Sequence, residues 1–525
     1  MRVRMAILLL FLIEAALTSA DRRAVDLQRE KATLLALKQG LTLTSAAAAL
    51  ADWNESNSNV CGFTGVTCDW RREHVVGLSL ANMGITGAIP SVIGELSHLR
   101  SLDVSNNNVS GPVPTSVGNL TRLESLFMNN NNIYGTTASI FSNLLPLRRL
   151  RNLDVSYNRI IGAIPLAIGS LGQLQSLKVS GNYISGTVPP SIGNLTLLEH
   201  FEMHDDFISG EIPLAICNLT SLKDLDMSVN NLTGQIPAEL SNLRNLEAID
   251  LGSNQLHGGI PPSLSELTAM FYLVLVQNNL SGNIPPAIFL NCTVLGLVDL
   301  GSNHLFGEIP RAISSTERCL FVVLSLYSNN LRGTLPRWLS NCTRLMILDV
   351  ENNLLDDELP TSIISGNPYL LYLHLSNNRF RSHDDNNLEP FFAALSNCTS
   401  LRDAGGMWEH VSSGLVPTST EPFLPSWLIS ELASLGLLRI VLSNNALKGE
   451  IPPSIGDSTN LGELDLSGNM LSGSIPSSIE SLAELRVLSL QRNRLSGQIP
   501  VASLGRCTKL IRLDLSSNRF NGTLY

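Results

Sequence analysis

The stretch Leu99–Leu120, LRSLDVSNNNVSGPVPTSVGNL, returns in nearly the same words as Leu461–Leu482, LGELDLSGNMLSGSIPSSIESL. Aligned on its asparagine, the unit reads L-x-x-L-x-L-x-x-N-x-L-x-G-x-I-P. That asparagine recurs at 107, 131, 158, 182, 230, 254, 278, 303, 329, 353, 378, 445, 469, 493 and 518, most often in steps of 24 residues. Met83 and Asp206 take its place in two further units, where Leu78, Leu80, Ile208 and Gly210 keep the register, so the array has 17 or 18 units.

Each part of the unit has a physical reason. In L-x-L the leucines share one side of a short strand and the intervening residue points to the other. One such strand cannot bury its leucines alone. Stacked in parallel, the units form a continuous leucine core in which each coil walls the next. The asparagine amide can donate to and accept from backbone groups where the chain leaves the strand. Gly111 and its equivalents permit the conformation that follows, and Pro114 and its equivalents fix φ beyond it. The intervening positions carry no structural duty.

Composition agrees: 44% hydrophobic and 15% charged residues suit a large core, not disorder. A net charge of −10 offers no basic stripe, so neither nucleic acid nor anionic lipid is an expected partner. Residues 1–20, MRVRMAILLLFLIEAALTSA, read as a signal peptide with an arginine start, a short apolar run broken by Glu14, and small residues at Thr18–Ala20. No later segment is long and apolar enough to span a membrane. The expected location is therefore secreted or extracellular. Eleven Asn-x-Ser/Thr sequons support that compartment: Asn54, Asn108, Asn119, Asn194, Asn218, Asn231, Asn279, Asn291, Asn341, Asn397 and Asn521.

Of eight cysteines, Cys61 and Cys68 lie close together outside the repeats and are expected to form a local disulfide. Cys292, Cys342 and Cys507 stand eleven residues before a repeat asparagine, where other units place Leu96, Leu171, Leu195 or Leu219, and Cys398 has the same surroundings. They read as small buried hydrophobes. Cys217 and Cys319 are about four coils apart, too far to bridge at about 5 Å per coil, and both are expected unpaired.

LSGSIPSSIESLAELRVLSLQRNRLSGQIP resembles the plant-type leucine-rich repeat, which L-x-G-x-I-P marks. REKATLLALKQGL at Arg29–Leu41 and LADWNESNSNVCGFTGVTCDW are similar to the helical, disulfide-bonded cap that precedes the repeats in plant receptor-like kinases and receptor-like proteins. The NCTxL variant at Asn291, Asn341 and Asn397 is similar to the microbe-sensing subgroup. The resemblance implies an α/β repeat fold: a curved, twisted solenoid with parallel β-strands on its concave face. It divides the chain into a signal peptide (1–20), a cap (21–74), regular repeats (75–380), a degenerate or island-like region (381–436) and further repeats (437–525). In the fourth part, 67 residues separate Asn378 from Asn445, and two readings remain open, eroded repeats or a ligand-binding island. The final repeat stops at Tyr525, where the unit calls for proline. A full-length receptor kinase would continue through a cap, a transmembrane helix and a kinase.

Chemistry is sparse. There is no G-x-S-x-G, H-E-x-x-H or C-x-x-C, and no kinase Gly-rich loop, H-R-D or D-F-G, so neither an enzyme nor a cofactor is expected. The slot within the outward strand face usually holds Asp, as at Asp103, Asp154 and Asp226, and is scaffold. Departures from it are the candidate ligand contacts: Phe127, Lys178, Glu202, Val274, Ser325 and His374 in the slot, with Tyr272, Tyr327 and Tyr372 flanking it. Aromatic and charged groups in otherwise monotonous places suit recognition. His200, Glu202 and His204 alternate on one strand, but its ends lie about 13 Å apart, so no metal is expected there. Histidine protonation in an acidic wall would instead tune binding. The expected function is ligand recognition of a peptide, glycan or protein, with a leucine-rich repeat co-receptor kinase as a partner implied by the resemblance. A secreted inhibitor of microbial wall-degrading hydrolases and a nonfunctional truncated receptor are the alternatives.

Overall fold

A computed structural model describes residues 26–43, 50–311, 319–396, 398 and 438–522. The signal peptide, Asn397 and most of 381–436 lie outside the described residues. The chain forms two compact units, Met1–Leu246 and Glu247–Tyr525.

In the first unit, residues 26–40 are helical. Trp53, 1% exposed, stacks on Phe63 at 5.9 Å and donates its indole N–H to the Thr64 carbonyl at 2.9 Å. Cys61 and Cys68 are disulfide-bonded, with Cα atoms 5.5 Å apart. The strand Val66–Cys68 then pairs antiparallel with Val75–Ser79, and from there every rung is parallel: Val75–Ser79, Ser101–Asp103, Ser125–Phe127, Asn152–Asp154, Ser176–Lys178, His200–Glu202 and Asp224–Asp226.

The leucine positions behave as the pattern requires. Leu96, Leu99, Leu120, Leu123, Leu126, Leu174 and Leu177 are wholly buried, each contributing about 2 kcal/mol. Asn107 shows why the asparagine recurs. Its Oδ1 accepts from the Met83 and Ile85 amides at 3.0 Å, and its Nδ2 donates to the Leu80 carbonyl of the preceding coil and to Val104 and Ser105 of its own. Asn131, Asn158, Asn182 and Asn230 repeat the arrangement. Gly111 has φ +87° and a Cβ there would lie 3.0 Å from the Ala88 Cβ, so both conformation and room favour glycine. Pro114 caps the 3₁₀ turn Thr115–Asn119 that carries the chain back. Where three extra residues precede Leu145, that return lengthens into the α-helix Thr137–Leu144, its N-cap Thr136 accepting from the Ser139 amide.

The residue before the ladder asparagine is left-handed in coil after coil, and the sequence pattern does not announce it: Asn106 (φ 53°), Asn130 (55°), Tyr157 (53°), Asp205 (56°) and Val229 (52°).

The second unit repeats the plan with strands Ala248–Asp250, Tyr272–Val274, Leu297–Asp299, Val323–Ser325, Ile347–Asp349, Tyr372–His374, Leu438–Val441, Leu461–Asp465, Val487–Ser489 and Arg512–Asp514, all parallel. Tyr372–His374 hydrogen-bonds directly to Leu438–Val441. Asn445 Nδ2 reaches back to the Leu375 carbonyl at 3.0 Å, as an adjacent rung would.

Cysteine behaviour is divided. Cys217, Cys292, Cys398 and Cys507 are buried free thiols, the last three as expected of leucine surrogates and Cys217 as expected of an unpaired thiol, and burial pushes Cys292 and Cys398 up to about 11. Cys319 and Cys342 correct the expectation: they form a disulfide, with Cα atoms 4.6 Å apart. Distance had excluded Cys217 as a partner of Cys319, but Cys342 is 23 residues on, one coil away, within the reach of a disulfide.

Candidate functional site

The outward strand face of the first unit carries a row of side chains in direct register: Phe127, Asp154, Lys178, Glu202 and Asp226. Beside it runs a second row, Ser125, Asn152, Ser176, His200 and Asp224. Parallel strands stand about 4.8 Å apart, so neighbours in a row touch. Lys178 Nζ lies 3.1 Å from Glu202 Oε1. Burial raises the Glu202 carboxyl above its ordinary value, against the opposing pull of Lys178. His200 Nδ1 is paired with Asp224 Oδ2. His204 Nδ1 stands 2.9 Å from Asp226 Oδ2, while its Nε2 meets the Tyr157 hydroxyl, also at 2.9 Å. His200, Glu202 and His204 thus have separate partners and do not converge on one point.

Phe127, Lys178, His200, Glu202 and His204 are all half-buried on this face. With Asp154, Asp224 and Asp226 of the same two rows they make a polar, mainly acidic patch with the Phe127 ring at its edge. Tyr157 was not among the expected contacts. It sits next to the ladder asparagine, outside the strand-face slot, and its hydrogen bond to His204 places it here.

The second unit presents a different outward face. Tyr272, expected to be exposed, is 4% exposed, and Val274 and Ser325 are 3% and 4%. The correction has a visible cause: the row in register with Tyr272 is Ala248, Leu297, Val323 and Ile347. These residues and Val274 form one buried apolar cluster on the face opposite the leucine core. Burial pushes Asp299, among them, up to about 6, although it accepts from the Gly301 amide and the Ser325 hydroxyl. Tyr327 is half-buried, and its phenol is pushed up to about 12 by burial and by Asp299.

His374 is held between two carboxylates, Nδ1 3.5 Å from Asp349 and Nε2 3.4 Å from Glu351. The Tyr372 hydroxyl lies 2.8 Å from the same Nδ1. Burial would lower this imidazole, but Asp349 and Glu351 outweigh it and its pKa is raised. Because two different ring nitrogens are engaged, the group is an ion-pair bridge.

Of the sequons, Asn108, Asn119, Asn194, Asn218, Asn231, Asn279, Asn291, Asn341 and Asn521 are exposed. Asn54 is half-buried, its Nδ2 donating to the Ala51 carbonyl at 3.0 Å and its Oδ1 accepting from the Asn57 amide at 2.9 Å.

A ladder of structural asparagines behind a variable strand face defines a repeat scaffold. Comparison with known families agrees: residues 134–405, just over half of the chain, match the "Leucine-rich repeat region" family, and residues 27–69 match the "Leucine rich repeat N-terminal domain". The chain belongs to the leucine-rich repeat family. It is 43% identical over 67 residues to the LRR receptor-like serine/threonine-protein kinase EFR of Arabidopsis thaliana, a match covering 13% of this chain and 6% of that protein. Among solved structures, the plant peptide hormone receptor RGFR1 in complex with RGF2 superposes with a TM-score of 0.70 and 32% identity, over 88% of this chain and 73% of that one. The Arabidopsis HAESA ectodomain in complex with an extended IDA peptide hormone gives 0.75 and 29%, over 94% and 78%. Among the described residues, no helix is long and apolar enough to cross a membrane.

Proposed function

We propose that this chain is an extracellular recognition module of a plant receptor-like kinase or receptor-like protein, which binds a peptide on the outward strand face of its first unit. The observation that carries the reading is the in-register row Phe127, Asp154, Lys178, Glu202 and Asp226 with His200 and His204 alongside. A peptide laid across successive strands meets a new side chain at each coil, and the excess of carboxylates favours one with basic side chains. The two structural neighbours that bind peptide hormones support a peptide over a glycan. No catalytic role is assigned: the task is binding, and a co-receptor kinase would carry the signal onward.

The test is capture from a synthetic library of peptides with varied charge by the secreted chain. Basic peptides should be retained, and Glu202→Gln with Asp226→Asn should weaken retention about tenfold or more. Asp465→Asn, on the second unit, should leave it unchanged. Equal retention by all three proteins would exclude this face.

A further inference from the structure

Away from the strand-face patch, three potential ligand groups converge where the cap meets the first coil. Glu30 lies on the helix 26–40, His74 immediately precedes the strand Val75–Ser79, and His98 lies in the turn before Ser101–Asp103. The two histidines are 24 residues apart and so occupy equivalent places in adjacent coils; the next coil has Arg122 there.

The Glu30 carboxylate is divided in its duties. Oε2 accepts from the Val75 amide at 2.7 Å, which fixes the group, and Oε1 is presented to both imidazoles, 3.4 Å from each Nδ1. That distance is long for a charge-assisted hydrogen bond, which falls near 2.7–2.9 Å. Indeed the buried His74 Nδ1 makes no hydrogen bond. It is the right length for two ligands of one tetrahedral ion: bonds of about 2.0–2.1 Å from zinc to nitrogen and oxygen put neighbouring ligand atoms about 3.3 Å apart. All three ligand atoms lie within 4.8 Å of one another.

We propose that Glu30, His74 and His98 form a divalent transition-metal site, with zinc its natural occupant by ligand type, that fastens the N-terminal cap to the first two coils. Two neutral imidazole nitrogens and one carboxylate supply three positions, and the fourth is filled by water. Access is open, since the His74 and His98 side chains are 19% and 23% exposed while Glu30 is 7%. The rings now stack at 3.5 Å with 12° between their planes. Binding turns them apart so that both lone pairs face one point. Asp26 and Asp69 contribute negative potential around His98, and Arg122 opposes them. The helix and the coils, 44 residues apart at Glu30 and His74, would then be joined by bonds stronger than the present polar contacts.

The experiment uses the full secreted chain, freed of metal by a chelator and titrated with zinc chloride, with cobalt as a spectroscopic substitute. The wild type should bind one zinc at this site, raise its unfolding midpoint, and give the visible absorption of tetrahedral cobalt. His98→Asn, at a partly exposed position, should weaken binding at least about tenfold and abolish that absorption. His200→Asn with His204→Asn should retain both. X-ray absorption of the zinc-loaded wild type needs no variant and should show two imidazoles in a four-ligand N/O shell. A shell without imidazole, or zinc bound equally by wild type and His98→Asn, overturns the proposal.

Discussion

Asp206 occupies a place where the ladder otherwise holds asparagine, and Asp206→Asn tests the ladder directly. Its Oδ1 does the work of the amide oxygen, accepting from the Asn182 amide at 3.2 Å and the Ile184 amide at 2.9 Å. The other branch cannot do the work of the NH₂ group. At Asn230 that group donates to the carbonyls of Met203, Met227 and Ser228, whereas Asp206 Oδ2 is buried without a partner. A buried carboxylate oxygen that receives no donor favours the neutral acid, and burial pushes this group from 3.8 up to about 7 in spite of its two backbone donors. The sign follows from the raised value. Below pH 3.8 both folded and unfolded forms are protonated; between 3.8 and about 7 only the folded form keeps the proton, so stability falls as pH rises. Over that span the loss is about 4 kcal/mol. Asparagine has no proton to lose and restores the missing donors, so Asp206→Asn should stabilise the chain at every pH, and by about 3 kcal/mol more at about pH 8 than at about pH 5. Urea unfolding of both proteins at the two pH values, followed by fluorescence, measures the difference. A destabilised variant, or an equal gain at both pH values, would refute the reasoning.

Four further outcomes are expected. Val229, β-branched and held at φ 52° on the surface, carries avoidable strain, so Val229→Asn should raise the thermal midpoint by the equivalent of about 1 kcal/mol. Cys319→Ser with Cys342→Ser should lower the urea midpoint, since a disulfide closing a loop of 23 residues is worth about 3 kcal/mol. Burial raises the Glu202 carboxyl, so retention of basic peptides should weaken as the pH falls into the carboxylate range and Glu202 loses its charge, and Glu202→Gln should lose that pH dependence. Glycopeptide mapping of secreted protein should find sugar on the exposed sequons and least on Asn54, whose amide is already engaged on both sides.

The fold was legible because its cause is periodic: leucine spacing states which side chains share an interior, and the asparagine states where the rung closes. What escaped was whatever depends on which residues of different coils become neighbours. Tyr272 looked like its exposed counterparts until the register set it beside Ala248 and Leu297. Cys319 has its partner one coil away in Cys342, a neighbour that the spacing to Cys217 does not reveal. The Glu30, His74 and His98 cluster needs the cap helix laid against the coils, which no repeat alignment supplies. Asp206 is legible in the sequence as a substitute for the ladder asparagine, whereas the burial of its unpaired Oδ2 shows only in the folded chain. The outward row of the first unit was legible as interruptions of a monotonous slot, while Tyr157, outside that slot, was not.

The central claim is that ligand meets the outward side chains of strands Ser176–Lys178 and His200–Glu202 while the leucines and asparagines only hold them. Hydroxyl-radical footprinting of the secreted chain, with and without a peptide retained from the library, measures this residue by residue. Protection concentrated at Phe127, Tyr157, His200 and His204 is the predicted result. Protection instead at the exposed Tyr183 and Phe207 of the neighbouring sheet, with the strand-face histidines unchanged, would contradict it.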